Sequence, residues 1–320
     1  MAGGLIISLD FEKFWGAIGT KDPQFFEKMV LQEEVIVPQI LELFEEFDIH
    51  ATWAVVGAML CNDKAEIESY LNHDIIYEKW QFSLKEKVAS IGENENQDKI
   101  HFAQSLVEQI MHYKNQEIGT HTFSHFYMLE EGVSEELLRQ DIHAATTVMQ
   151  KYGIQPKTII MPRNQLNVAF FPVLSYAGIM IYRGRQPLFM FSKNRNINRI
   201  VDFIDAYIPI RKNLCYTDKD IEYNNSLYNV PASMFYRTYF NKLKLLESLK
   251  LARIKMEMLS AAKKGKYFHL WWHPHNMGTN LEYNFNVLKE ILLYYKKMEN
   301  KYDFKSYTMF EIINKHINKG

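Results

Sequence analysis

The sequence predicts an α/β fold built from parallel βα units, in the manner of a (β/α)-barrel, on three observations. Short apolar, β-branched segments alternate with amphipathic segments of helical period along most of the chain. Asp10, His121, Arg163, Arg183 and His273 each fall just after one of the apolar segments, at the rim where parallel α/β folds assemble their chemistry. The 320 residues are 47% hydrophobic and 23% charged, the balance of a chain that buries a core rather than staying disordered.

Leu5 to Leu9 reads as a buried strand entered through Gly3-Gly4. A helical pattern covers about 25–47, with Pro38 starting a second helix that buries Ile40, Leu41, Phe44 and Phe47. His50 to Gly57 is β-branched and aromatic and forms strand two. Residues 60–100 are polar and leave the core layout. A helix at about 101–113 leads into a third strand, Glu117 to Thr120. Ser134 caps the next helix, Glu135 and Glu136 lie in its first turn, and Gly153 closes it. Thr158 to Met161 is strand four, Val168 to Tyr176 a helix and Ile179 to Arg183 strand five. Residues 184–240 carry little pattern. Lys242 to Lys264 reads as a basic amphipathic helix stopped by Gly265, Tyr267 to Trp272 as a late strand, and about 284–299 as a helix.

Lysine plus arginine number 37 against 38 acids, a net charge of −1. That balance argues against a nucleic acid partner, which calls for a basic excess. Cys61 and Cys215 have no metal or redox spacing, so no disulfide framework is expected. No apolar run has the length of a signal peptide or a membrane span. A cytoplasmic protein is expected, not a transmembrane one. The helix at 242–264 admits peripheral membrane contact, although packing its apolar stripe on the sheet is the commoner use.

Gly119-Thr120-His121-Thr122-Phe123-Ser124-His125 is the strongest local signal. Two imidazoles four apart suit zinc or another borderline divalent metal if the strand runs into a helical loop. Alone, the pair is as readily two structural histidines. Asp10-Phe11-Glu12 offers two carboxylates on one side of an extended chain, one for a metal and one for a proton. Alone, it is as readily a solvated loop. His273, in Trp271-Trp272-His273-Pro274-His275, could protonate a leaving group, or the run could be a packed strand. Arg163 could hold a carboxylate ionised, or form a surface ion pair of little consequence.

Taken in order, these segments resemble the polysaccharide deacetylase family, also called the NodB-homology or carbohydrate esterase 4 type. The resemblance rests on Asp10, HATWAVVG, EIGTHTFSH, MPRNQ, Tyr182-Arg183-Gly184 and LWWHPHN. It implies a distorted (β/α)-barrel, often seven-stranded, spanning 1–320 as one domain with insertions at about 60–100 and 184–265. It implies one divalent transition metal, zinc foremost, held by His121, His125 and Glu12. Glu12 departs from the commonest form, in which two aspartates are adjacent. The resemblance also implies Asp10 as general base, Arg163 as the arginine that tunes it and His273 as general acid, with His275 a rival. Trp15, Trp272, Trp271 and Tyr182 are candidates for stacking on sugar, with core packing their default role. Arg183 and Arg185 are candidates for binding a phosphate or carboxylate.

The implied activity is removal of an acetyl or formyl group from the nitrogen of a sugar, in the biosynthesis of a surface polysaccharide or of its nucleotide-linked, lipid-linked or oligosaccharide precursor. The alternatives are a C–N hydrolase acting on a ureide or cyclic imide, and a glycan-binding relative without catalysis.

Overall fold

A computed structural model of the chain describes residues 3–184, 200–201, 203–211 and 214–318. Twelve strands lie among them: β1 Gly4–Phe11, β2 Ala51–Val55, β3 Ile76–Tyr77, β4 Phe82–Ser83, β5 Gln116–Thr120, β6 Thr158–Ile159, β7 Ile181–Tyr182, β8 Tyr223–Asn224, β9 Leu227–Asn229, β10 Met234–Phe235, β11 Tyr267–Trp272 and β12 Lys305–Tyr307. Ten form one sheet, ordered β10-β11-β1-β2-β5-β6-β7-β9-β8, with β12 also pairing β1, and β3-β4 is a separate hairpin. From β11 to β9 the ladders are all parallel, a run of seven strands. The sheet therefore has more strands than the seven implied by resemblance. The extra ones are the short edge strands β8 and β10, and β12.

The sheet is strongly curled. Arg183 follows β7, four ladders from β1, which on a flat sheet would be about 19 Å away at ~4.8 Å per strand. Instead its guanidinium contacts Asp10 on β1 at 2.6 Å. β1 is buried on both faces, and its pleat sorts the residues. Leu5, Ile7, Leu9 and Phe11 join the larger core beneath the helices, whereas Ile6 joins a second cluster inside the curl. Met309, Ile312 and Ile313 of the C-terminal helix belong to that inner cluster as well. Phe11 points outward, so the two carboxylates that flank it point the same way.

The helices follow from local signals where those are strong. Helix Glu135–Lys151 has Ser134 accepting from the Leu137 N–H, as expected, and Gly153 adopts a positive φ of 73°. The 25–47 segment breaks elsewhere than expected. α1 is Pro23–Leu31 and α2 is Glu33–Glu46, with Pro38 inside α2 rather than at its start. The junction at Gln32 lets Glu33 and Glu34 occupy the acid-favouring first turn.

The expected 242–264 helix is a 3₁₀ segment, Asn241–Leu246, and then a helix Glu247–Lys264 capped by left-handed Gly265. Lys250 and Arg253 are buried there, paired with Glu247 and Glu257. The helix thus offers less free basic surface than its sequence suggests. No helix among the described residues is long and apolar enough to cross a membrane. The 60–100 segment forms two short helices, Lys64–Ser69 and Leu84–Ser90, around the β3-β4 hairpin.

Candidate metal centre and its carboxylate–arginine pair

Glu12, His121 and His125, all buried, place their ligating atoms within 4.8 Å of one another. Glu12 Oε2 lies 3.2 Å from His121 Nε2 and 2.8 Å from His125 Nε2. The histidines sit on an irregular loop, not on the helical turn expected from their spacing. Thr122 and His125 take positive φ of 66° and 62°, an uncommon conformation for such residues that surrounding contacts must hold. Asp141, buried on helix Glu135–Lys151, supplies those contacts. It accepts the N–H groups of Phe123 and Ser124 at 2.7 and 3.0 Å, and the Ser124 hydroxyl. Thr122 Oγ1 accepts the Phe126 N–H at 2.7 Å.

The donor set fits a divalent transition metal. His121 Nδ1 donates to the Ile160 carbonyl at 2.7 Å, which leaves Nε2 with its lone pair toward Glu12. His125 Nδ1 is buried with no partner among the described residues, and two imidazole nitrogens and a carboxylate oxygen converging on one point suit a cation. Their 2.8–3.2 Å separations approach the ~3.3 Å edge of a tetrahedral site with Zn–N bonds of about 2.0–2.1 Å. Gly16 belongs to this cradle, because a Cβ there would stand 2.1 Å from Glu12 Oε1.

Asp10 is gripped by an arginine, but not by the expected one. Arg183 Nη1 and Nη2 donate to Asp10 Oδ1 and Oδ2 at 2.6 and 2.7 Å. Burial alone would raise the Asp10 pKa, yet the charges of Arg183 and His273 hold it below its ordinary value. Arg163, expected in this role, turns away. It and Asn164 both adopt positive φ, 55° and 49°, so that Asn164 Oδ1 meets Arg183 at 3.0 Å while Arg163 donates to the Ile18 carbonyl. Arg183 is 1% exposed and both of its terminal nitrogens are engaged, so it is not the free anion binder expected from sequence. Arg185 lies outside the described residues.

Behind the pair runs a network that sequence reading missed. His269 Nδ1 donates to the Pro231 carbonyl at 3.1 Å, so its Nε2 accepts the Ser8 hydroxyl at 2.8 Å. Ser8 Oγ in turn accepts Arg183 Nη1 at 3.1 Å. Burial, reinforced by the charge of Arg183, pushes the His269 pKa down to about 3. Between that value and the unfolded value near 6.5, the unfolded chain binds a proton that native His269 refuses. Stability therefore falls on acidification through that window, by up to about 1.4 kcal/mol per pH unit. Thermal melts of wild type and H269Q between pH 7 and 4.5 should show a shallower acid slope in the variant, and equal slopes would refute the assignment.

His273 Nε2 faces the site at 3.8 Å from Asp10 Oδ2 and 3.7 Å from Glu12 Oε1, and its side chain is 23% exposed. His275 does not share that position. It is buried against Phe26, its N–H donates to Glu33 Oε1 at 3.0 Å, and it lies beneath α1 and α2. Trp15 and Trp272 are likewise core residues. Trp15 Nε1 donates to the His101 carbonyl at 2.9 Å, and Trp272 packs between Phe44 and Tyr236. Neither offers a face for stacking on sugar. Trp271, on the inner face, lies under Arg183, with the guanidinium carbon 4.0 Å from its ring centroid.

Residues 25–182 match the sequence model of the family described as polysaccharide deacetylase. The two histidines lie inside that span, whereas Asp10, Glu12, Arg183 and His273 lie outside it. No curated protein sequence matches the chain. Among solved structures it is similar to a chain assigned as a polysaccharide deacetylase from Mycobacterium smegmatis, at 14% identity and TM-score 0.61, covering 100% of this chain and 92% of that one. It is also similar to Puue allantoinase, at 11% identity and TM-score 0.54, covering 99% and 90%. A third likeness is to 4-alpha-glucanotransferase from Thermococcus litoralis, at 12% identity and TM-score 0.55, covering 98% of this chain and 40% of that one. Identities this low speak for the fold.

Proposed function

We propose, from the match of residues 25–182 to the polysaccharide deacetylase family, that the chain is a hydrolase of carbon–nitrogen amide bonds that removes an N-acetyl or N-formyl group from a sugar with the help of one divalent metal, zinc foremost. The observation that carries this reading is the convergence of Glu12, His121 and His125 beside an arginine-held Asp10 and a half-open His273. When bound, the metal would supply Lewis acidity to the acyl carbonyl and to an attacking water.

The chain's own groups do the rest. Asp10, kept ionised by Arg183, accepts the proton of the water. Its two oxygens are fixed by the bidentate fork, so it need not reorient before it acts. His273, beside both carboxylates and partly exposed, delivers a proton to the departing amine, which leaves poorly without one. Asp141 and the Ile160 carbonyl hold the histidine loop in place throughout.

We place this activity on a precursor of a surface glycan, in the cytoplasm. That reading comes from the sequence, as does peripheral contact with a membrane. The reading as a ureide or imide hydrolase draws only on shared fold. The test is release of acetate or formate from a panel of N-acyl sugars, free, nucleotide-linked and lipid-linked, by zinc-loaded protein. Release that disappears in D10N supports the proposal. No release from any member, in protein shown to carry metal, would overturn it.

A further inference from the structure

Arg163 is left with a charge and no counterion. Its Nη2 donates to the Ile18 carbonyl, and no carboxylate among the described residues pairs with it. Glu130, on the same side, is engaged by Gln165 at 2.6 Å and by Lys79 at 3.6 Å. The guanidinium carbon lies 4.5 Å from the Trp80 ring centroid and 4.4 Å from that of Tyr127. These rings are only 5.5 Å apart and meet at 61°, so they cannot cover both faces of the guanidinium. Arg163 rests in the corner they make, beside the Tyr127 hydroxyl, and no carboxylate among the described residues meets its planar fork.

Two further observations point to a ligand. The Tyr127 hydroxyl is buried and has Arg163 as its polar neighbour, so the two groups face the corner together. Tyr127 also packs edge-on against His125 at 5.1 Å between ring centroids, which ties the corner to the metal cluster. The corner is built, not incidental. Trp80 comes from the β3-β4 hairpin, and left-handed Gly19 clears room for its indole, since a Cβ there would lie 2.5 Å from Trp80 Nε1. The Tyr127 N–H donates to Tyr77 Oη on the same hairpin at 2.8 Å. In the neighbouring site Arg183 and Asp10 cancel, and a divalent cation held by the single carboxylate of Glu12 with two neutral imidazoles would leave that cluster positive. Nothing there offsets the charge of Arg163.

We propose that Arg163, with Trp80 and Tyr127, forms an anion-recognition subsite beside Glu12, His121 and His125, so that the sugar acted on carries a carboxylate or phosphate near its N-acyl group. This rests on reading the site as that of a sugar N-deacylase. The planar fork suits both oxyanions, and an ionic hydrogen bond to either is worth far more in this partly buried corner than in water.

The test is binding by calorimetry to zinc-loaded wild type, R163Q and R163K. The probes are neutral N-acetylglucosamine, carboxylate-bearing N-acetylmuramic acid and phosphate-bearing N-acetylglucosamine 1-phosphate. Wild type should favour at least one charged sugar over the neutral one by about tenfold or more. R163Q should bind all three within about twofold of one another, and R163K should keep part of the preference. The charged sugar that loses affinity identifies the oxyanion. W80L, which removes one wall of the corner and keeps the charge, should weaken the preference and serves if R163Q does not fold. Equal binding of the three sugars by wild type, or a preference that survives R163Q, overturns the subsite. Turnover of neutral N-acyl sugar without charge preference would refute the subsite and leave the deacylase standing. Arg163-dependent binding without turnover of any N-acyl sugar would do the reverse.

Discussion

R183M is expected to destabilise the fold by about 3–5 kcal/mol and to lower deacylation by about 10²–10⁴-fold. The loss arises because Asp10 is buried and its carboxylate accepts two short hydrogen bonds from Arg183. Without them, burial governs the Asp10 pKa, and the group is driven toward its neutral form. A protonated Asp10 cannot take a proton from water, so the acid limb of the pH–rate profile should move upward. R183K should fall between wild type and R183M, since lysine returns the charge without the fork. In R183M/D10N no charge is left buried and unpaired, so most of the stability should return while activity stays absent. An R183M enzyme whose acid limb is unmoved would show that Arg183 does not hold the base.

The second large effect is expected at His273. H273A should slow release of an N-acyl group by about 10²–10⁴-fold. The loss on an O-acyl ester of the same sugar should be about tenfold smaller, because an ester depends less on protonation of its leaving group than an amide does. H275A is a contrasting case. His275 is buried under α1 and α2, so its removal should lower stability before it touches the ratio of amide to ester rates. Equal losses on amide and ester in H273A would remove His273 from the role of acid.

Much of the strand order and the helix at 135–151 could be read from sequence because their signals are local. A short apolar run after paired glycines, or a serine before two glutamates, needs no distant partner. The carboxylate pair at Asp10 and Glu12 was legible for the same reason, since the strand pleat places both on one side. The pleat also held information that went unread on β11. Phe268, Leu270 and Trp272 share the outer face and enter the larger core, whereas His269, Trp271 and His273 alternate with them toward the inside. Counting by twos would have placed Trp272 in the core and raised His269 as an inner residue.

Other features had little or no local signal. The exchange of Arg163 for Arg183 depends on two successive left-handed residues at 163 and 164. Neither is a glycine, and Asn164, a residue that tolerates this conformation, was only a weak signal of the turn. The Ser8–His269 contact joins residues 261 apart, and the grip of Asp141 on the histidine loop joins residues 17 and 18 apart. Such pairings exist only once β1 has paired with β11 and the helix has packed on its loop. The 60–100 segment looked like an excursion because it is polar, yet its hairpin brings Trp80 and Tyr77 to the edge of the site.

The most direct test is metal content, measured by elemental mass spectrometry on wild type and on H121A/H125A purified in parallel. Wild type should carry about one equivalent of a divalent transition metal that the double variant lacks. Equal and negligible metal in both, even after add-back of zinc, would contradict the reading of Glu12, His121 and His125 as a metal centre.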